Sequence, residues 1–399
     1  MRIVYLMTGI GYGGASKSLL LLLKSLKLYS DIEVFVFTQF SNSPEIKNEI
    51  ENYCKKLIII DYPHINANQA YSTSIKEFRR IISANYDELI NQINTLNPDI
   101  VHINSTTLAY LIKPLKEINP QLKTVIHLRE VVKNSKTDEV ANFLIFSIKH
   151  FADHKIAISD NELIPFDDLK NFTILPNPIN FDEIKFESKK KVVICSQNVT
   201  IGMMASFHPS KGHFNFLRTL LLLQKKSKNF SGIILGVKMP SPNTRYYIKR
   251  FFHKDFYTNL IKYISKNKLL DNVQLVNQTN TVSEFWDSLD IYVRPSDAGD
   301  PWGRDIIEAM AMKKPIVATG SSTFFVEEGK TGYLVPPKNP RILAERIMHL
   351  IENPQKRLTF GEAGHIKVKN MCDLKDYGSK IHKIYSDLLE VQNMESKNK

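Results

Sequence analysis

Apolar residues along this chain come in short unbroken runs separated by longer amphipathic stretches, and the alternation recurs from end to end. The runs 2–8, 32–37, 57–60, 100–103 and 124–128 are rich in β-branched and aromatic residues and have the length of buried strands. KIAIS (155–159) and FTILPN (172–177) continue the series. Helix-period segments lie between them, among them the leucine-rich stretch after Gly14 and the amphipathic stretch 74–96. Unbroken apolar strands alternating with helices predict a doubly wound parallel sheet, buried on both faces. Pro-Asn-Pro at 176–178 and the charged FESKKK segment (186–191) read as a linker, so a first domain spans 1–180. A second series of runs at 200–206, 231–237, 273–277, 291–294 and 315–319 predicts another doubly wound domain over 181–373. A final helix is expected over 374–390, with a polar tail at 391–399.

Bulk properties narrow the class. A chain of 399 residues is too long for one ordinary core, which agrees with two domains. No apolar run approaches the ~18 residues that span a membrane. The amino terminus enters a strand directly, without the pattern of a secretory signal. Three scattered cysteines, Cys54, Cys195 and Cys372, are in no metal spacing and suit a reducing compartment. A cytoplasmic location is expected. The net charge of +12 falls entirely beyond residue 180, because residues 1–180 carry 19 Lys+Arg against 19 Asp+Glu. Such a basic half attracts anions, but no zinc-finger, RNA-binding or basic-zipper signature accompanies it, so nucleic acid is not the expected partner. Residues 238–268, with eight Lys+Arg and one acid among many aromatics, read as an amphipathic helix with a solvated basic face, an interfacial anchor being the alternative.

Chemistry concentrates in two glycine-rich turns and one acidic loop. GIGYGG (9–14) satisfies the dinucleotide fingerprint literally, but the next strand ends in Thr38-Gln39 where an acid should hold a ribose. The open alternatives are a tight turn and a backbone, at Gly13 and Gly14, that lets a substrate approach a helix N-terminus. Lys211-Gly212 closes a turn between strand and helix in the second half. In IYVRPSDAGDPWGRDIIEAMA, a strand ends at Arg294, a polar loop follows, and Gly303 opens a helix through Lys313. Asp300 and Glu308, separated by seven residues, mark that loop and helix, and the N–H groups of Gly303 and Arg304 suit a diphosphate.

This constellation resembles the family 4 retaining glycosyltransferases, whose E-x7-E signature carries the same Gly and EAMA run; here Asp stands for the first Glu. The resemblance implies the GT-B fold, two Rossmann-like domains with the active site in the cleft between them. It implies transfer of a hexose-type sugar, with retention, from a nucleotide diphosphate sugar to a glycan or lipid-linked acceptor, as in bacterial envelope polysaccharide, lipopolysaccharide or capsule synthesis. It assigns Lys211 to the leaving phosphate, Glu308 to the ribose, and Asp300 to the hexose hydroxyls. Pro301, Trp302, Gly303 and Arg304 complete the donor site, with Gly13 and Gly14 beside its phosphates. His127 is expected against the donor sugar, and Arg129 with Glu130 against the acceptor, a surface ion pair being the alternative for those two. No Asp-x-Asp metal site is visible, so no cofactor or metal is expected beyond the co-substrate. Ser206 replaces one phosphate-binding Arg of the family; Arg304 and His208 are the candidate substitutes. Phe324, with Ser321 and Ser322, also departs from the pattern. These departures leave two other readings, a nucleotide-sugar-binding subunit without turnover and a sugar-nucleotide epimerase of the same fold. Weak, salt-sensitive contact with an anionic membrane is expected through Lys76, Arg79, Arg80, Lys113 and Lys116.

Overall fold

Seven apolar runs of the first half pair side by side as one parallel sheet in the computed structural model. These strands are β1 (Arg2–Met7), β2 (Glu33–Thr38), β3 (Lys56–Ile59), β4 (Ile100–Ile103), β5 (Lys123–Leu128), β6 (His154–Ala157) and β7 (Phe172–Ile174), in the order β3-β2-β1-β4-β5-β6-β7. The structure describes every residue except 12, 64–73, 84–85, 133–137, 185–198, 228, 240–255, 280–281 and 398–399, and no side chains of 392–397. The linker segment 186–191 and most of the basic aromatic stretch lie outside the described residues. The described end of that stretch, the helix Phe256–Lys266, turns Thr258, Leu260 and Ile264 inward as an amphipathic helix does.

The chain divides into two compact units, Met1–Pro178 with Cys372–Lys399, and Ile179–Met371. In the first, alternate residues of each strand serve opposite faces. Val4, Leu6, Val101, Ile103 and Ile126 pack with Phe78, Leu89 and Leu144 from helices on one face. Ile3, Tyr5, Val125 and Ile156 face the other way, onto Leu19 and Leu22 and onto Tyr377, Ile381 and Tyr385 of the last helix. That helix runs Leu374–Lys397, so the expected polar tail from 391 is helical through Lys397. Its residues there are polar but are good helix formers, and polarity alone does not end a helix. The stretch 74–96 holds two helices, Ile75–Ile82 and Asp87–Thr95.

The second unit repeats the plan with β8 (Val199–Met204), β9 (Phe230–Val237), β10 (Val273–Asn277), β11 (Ile291–Arg294), β12 (Ile316–Thr319) and β13 (Gly332–Val335). Their order is β10-β9-β8-β11-β12-β13, all parallel. The order reverses between β8 and β11, as it does between β1 and β4 in the first unit. Ligands of such sheets bind beyond the strand carboxyl ends at this reversal. Among the described residues no helix is long and apolar enough to cross a membrane.

Candidate functional site

In the second unit the two loops at the reversal are tied together by backbone. After β8 the chain makes a short 3-10 turn at Pro209–Lys211, and Gly212 follows with φ of 78°. A Cβ on Gly212 would stand 1.8 Å from the Pro295 carbonyl oxygen, so only glycine lets the loop after β11 come this close. Asp297 N then donates to Ser210 O at 3.0 Å, and Asn215 Nδ2 to Pro295 O at 3.2 Å. Thr319 Oγ1, at the end of β12, donates to Ser296 O at 2.6 Å. This docking brings Lys211 Nζ to 3.9 Å from Asp300 Oδ2.

Arg294, which sequence reading passed over as a strand end, organises the loop. Its Nε donates to Asp300 O at 2.6 Å and its Nη2 to Asp300 Oδ2 at 2.8 Å, while Nη1 reaches Asp305 Oδ1 at 2.5 Å. Tyr292, two residues earlier and on the same strand face, donates its hydroxyl to Asp305 Oδ2 at 2.6 Å. Gly303, with φ of 142°, sits in the middle: a Cβ there would lie 2.8 Å from Asp305 Oδ1 and 3.1 Å from Arg294 Nη1. Burial alone would raise the Asp300 carboxyl, but Arg294 and then Lys211 outweigh it and hold it below its ordinary range. Asp300 is therefore an anion whose orientation is fixed before any ligand arrives. The one signal in the sequence was a charged residue closing an apolar strand.

The helix after the loop runs Arg304–Ala311, two residues shorter than expected; Lys313 takes a left-handed φ of 55° and ends it. Gly303 is its N-cap, and among the described residues no side chain caps its N-terminus. Glu308 is largely buried and forms an ion pair with Arg304 at 2.9 Å, one turn earlier on the same face. The candidate substitute for the absent phosphate arginine is thus committed to the ribose candidate. The other, His208, accepts at Nδ1 from the Ser210 N–H at 3.3 Å. Pro301 is buried, in contact with Gly320, and Trp302 is half-buried.

In the first unit, His127, Arg129 and Glu130 gather at the end of β5. Arg129 donates through Nε and Nη2 to Asn104 Oδ1, at 3.0 and 2.8 Å, and through Nη1 to Asn177 Oδ1 at 2.5 Å. Glu130 accepts from the Thr106 N–H at 2.9 Å and the Ser105 hydroxyl at 3.2 Å. His127 is fully buried, with Nδ1 3.3 Å from His102 Nε2 and with Nε2 meeting no hydrogen-bond partner among the described residues. Burial, then the Arg129 charge, drive its pKa well down, so the ring is neutral. Gly13 is the N-cap of the helix Gly14–Leu26, extended at φ of −78°, and among the described residues a Cβ on Gly11 or Gly13 would meet nothing within 4 Å. Among the described residues neither packing nor backbone conformation demands glycine at Gly13. Of the basic residues offered to a membrane, Arg80, Lys113 and Lys116 are in ion pairs with Glu77, Glu117 and Asp153 at 2.6, 3.4 and 2.6 Å.

Two parallel-sheet Rossmann-like units define an α/β protein of the GT-B fold. The structure of Anabaena Alr3699/HepE, in complex with UDP and glucose, superposes with a TM-score of 0.75 over 97% of this chain and 99% of that one, at 19% identity. Residues 184–367 match the family model described as Glycosyl transferases group 1, so the second unit is similar to that family's domain. The capsular polysaccharide biosynthesis glycosyltransferase CapM of Staphylococcus aureus is 22% identical over 220 residues, 54% of each chain. The phosphatidyl-myo-inositol mannosyltransferase of Mycobacterium leprae is 27% identical over 121 residues, 29% of this chain and 32% of that one. The chain spans about half the length of the first curated relatives it matches, or less.

Proposed function

We propose that this protein is a retaining glycosyltransferase that moves a hexose-type sugar from a nucleotide diphosphate sugar to a glycan or lipid-linked acceptor. The observation that carries the reading is the clustering, in a domain similar to the group 1 glycosyl transferases, of Lys211, Asp300 and the uncapped helix start at Gly303. A departing diphosphate is dianionic, and Lys211 with the amides of Gly303 and Arg304 is the donor set that stabilises it. Glu308 accepts from the ribose hydroxyls, a role in which Arg304 fixes its carboxylate. Asp300, held through Oδ2 by Arg294, has its buried Oδ1 outside that grip, and the reading gives that oxygen to the sugar hydroxyls. Pro301 and Trp302 shape the donor loop. To His127 the reading gives a hydrogen bond to the transferred sugar, to Gly13 and Gly14 a backbone open to the donor phosphates, and to Arg129 and Glu130 the acceptor.

In this reading the bond from the anomeric carbon to the phosphate oxygen breaks, and the acceptor oxygen attacks on the same face. The departing phosphate takes the acceptor proton, so no protein carboxylate is consumed and no metal is assigned a step. Relatives are named for capsular polysaccharide biosynthesis and for phosphatidyl-myo-inositol mannosyl transfer, which supports a role in envelope polysaccharide synthesis; the reading puts the enzyme in the cytoplasm, beside the membrane. With three of its basic residues already paired, membrane contact in this reading is weak and salt-sensitive. A thermal-shift screen of nucleotide sugars, followed by mass spectrometry of product on lipid-linked acceptors, tests the proposal. Stabilisation by one donor and a mass gain of one sugar are expected; donor binding with no product under any acceptor would instead identify a binding subunit.

A further inference from the structure

A chain of buried polar groups runs across the first unit behind His127. The Tyr5 and Tyr385 hydroxyls lie 2.5 Å apart, Tyr385 OH is 2.6 Å from His102 Nδ1, and His102 Nε2 is 3.3 Å from His127 Nδ1. All four side chains are buried, and Tyr5 stacks on His102 with ring centroids 4.8 Å apart. Tyr5 and His102 are partners in the β1–β4 register, and His127 lies two residues beyond Val125, the partner of His102, on the same face. Tyr385 comes from the last helix, so residues 283 positions apart in sequence share one hydrogen bond.

Such a chain has two possible polarities, because each hydroxyl and each neutral imidazole donates one hydrogen and accepts another. Arg129 selects between them. Its Nη2, which can only donate, lies 3.5 Å from His127 Nδ1, and at that distance the guanidinium acts chiefly through its charge. A lone pair at Nδ1 is favoured beside that cation and an N–H is opposed. Nδ1 therefore accepts, from His102 Nε2–H. His102 Nδ1 then accepts from Tyr385, and Tyr385 accepts from Tyr5. Every group in the row is satisfied until the far end, where His127 Nε2 keeps its hydrogen and meets no partner among the described residues.

We propose that Tyr385 and His102 are positioning residues that hold His127 in its Nε2–H form, a permanent hydrogen-bond donor to a ligand oxygen such as a sugar hydroxyl or a phosphoryl oxygen. The polarity stands on the structure alone; the ligand rests on the function proposed above. An imidazole free to exchange tautomers would present a donor for only part of the time, and the buried row removes that freedom.

Protein labelled with 15N in its histidine rings reports each tautomer directly through long-range 1H–15N correlations. In the wild type, His127 and His102 are expected neutral and protonated at Nε2 near neutral pH. A His127 carrying its hydrogen on Nδ1, or an imidazolium, would overturn the inference whatever the protein's activity. Tyr385→Phe removes the donor to His102 Nδ1 and is expected to give mixed tautomers at both rings, with sugar transfer reduced about tenfold in kcat and nucleotide affinity unchanged. Tyr5→Phe leaves Tyr385 free to donate and is expected to leave His127 as in the wild type. Unchanged His127 signals in Tyr385→Phe would remove Tyr385 from the positioning role. Should Tyr385→Phe not fold, the wild-type tautomers and Tyr5→Phe still decide. Absence of any transferase activity together with the expected tautomers would sink the functional reading and leave the polarity intact.

Discussion

Arg294 grips Asp300 at two points, its backbone carbonyl at 2.6 Å and its carboxylate at 2.8 Å, and with the remaining nitrogen it holds Asp305. One cation is thus shared by two acids at opposite ends of the loop, so the acid that opens the D-x7-E pattern is aimed by a residue outside that pattern.

Removing the shared cation leaves two acids facing burial with no partner of this strength. Arg294→Met is expected to destabilise the protein by about 3–5 kcal/mol, the usual cost of breaking a buried pair from one side. The urea midpoint reads this, and adding Asp305→Asn should recover part of the loss. A shift worth less than about 1 kcal/mol would show that the loop holds without the ion pairs.

Gly212 combines a left-handed backbone with a carbonyl 1.8 Å from where a Cβ would be. Gly212→Ala is expected to cost at least ~2 kcal/mol and to push the loop after β11 away from Ser210. Denaturation and backbone NMR shifts at Asp297 check both parts. Wild-type stability would mean that the two loops have slack.

Glu162 gives a pH dependence of definite sign. It is buried, accepts from the Ser159 hydroxyl at 2.6 Å, and burial pushes its pKa up to about 7. An acid whose folded pKa lies above its unfolded value of about 4.3 binds its proton better when folded. That contribution is present below the unfolded value and is lost as pH rises through 7. Glu162→Gln should therefore stabilise the protein at about pH 8, by up to ~3 kcal/mol, and by much less at about pH 5. Equal gains from urea melts at both pH values would contradict the assignment.

The fold was legible because strands buried on both faces must be apolar throughout, and helices covering them must be apolar on one stripe. The two loops that meet beyond the second sheet were legible only where a short motif marks them, as at Lys211-Gly212 and the acids eight positions apart, whose chemistry stays a proposal. Arg294 escaped because a charge closing an apolar strand looks like a strand end; its acids lie 6 and 11 residues on and meet it only once the loop folds back. The row from Tyr5 to His127 was out of reach for the same reason at greater range, since no periodicity links His102 to a tyrosine in the last helix. Continuation of that helix to Lys397 was missed because polar residues with good helix propensity also compose tails.

Release of nucleoside diphosphate from a sugar donor, followed in wild type, Lys211→Ala and Glu308→Gln, tests the central claim most directly. The wild type should release it faster when acceptor is added. Lys211→Ala should lower turnover about 10²-fold, as loss of one preorganised donor to a developing charge does. Glu308→Gln should weaken uridine or other nucleoside diphosphate binding in calorimetry by ~1–3 kcal/mol, the worth of a charge-assisted hydrogen bond. Release at the wild-type rate in both folded variants, with nucleotide affinity unchanged, would contradict the account and place the chemistry elsewhere.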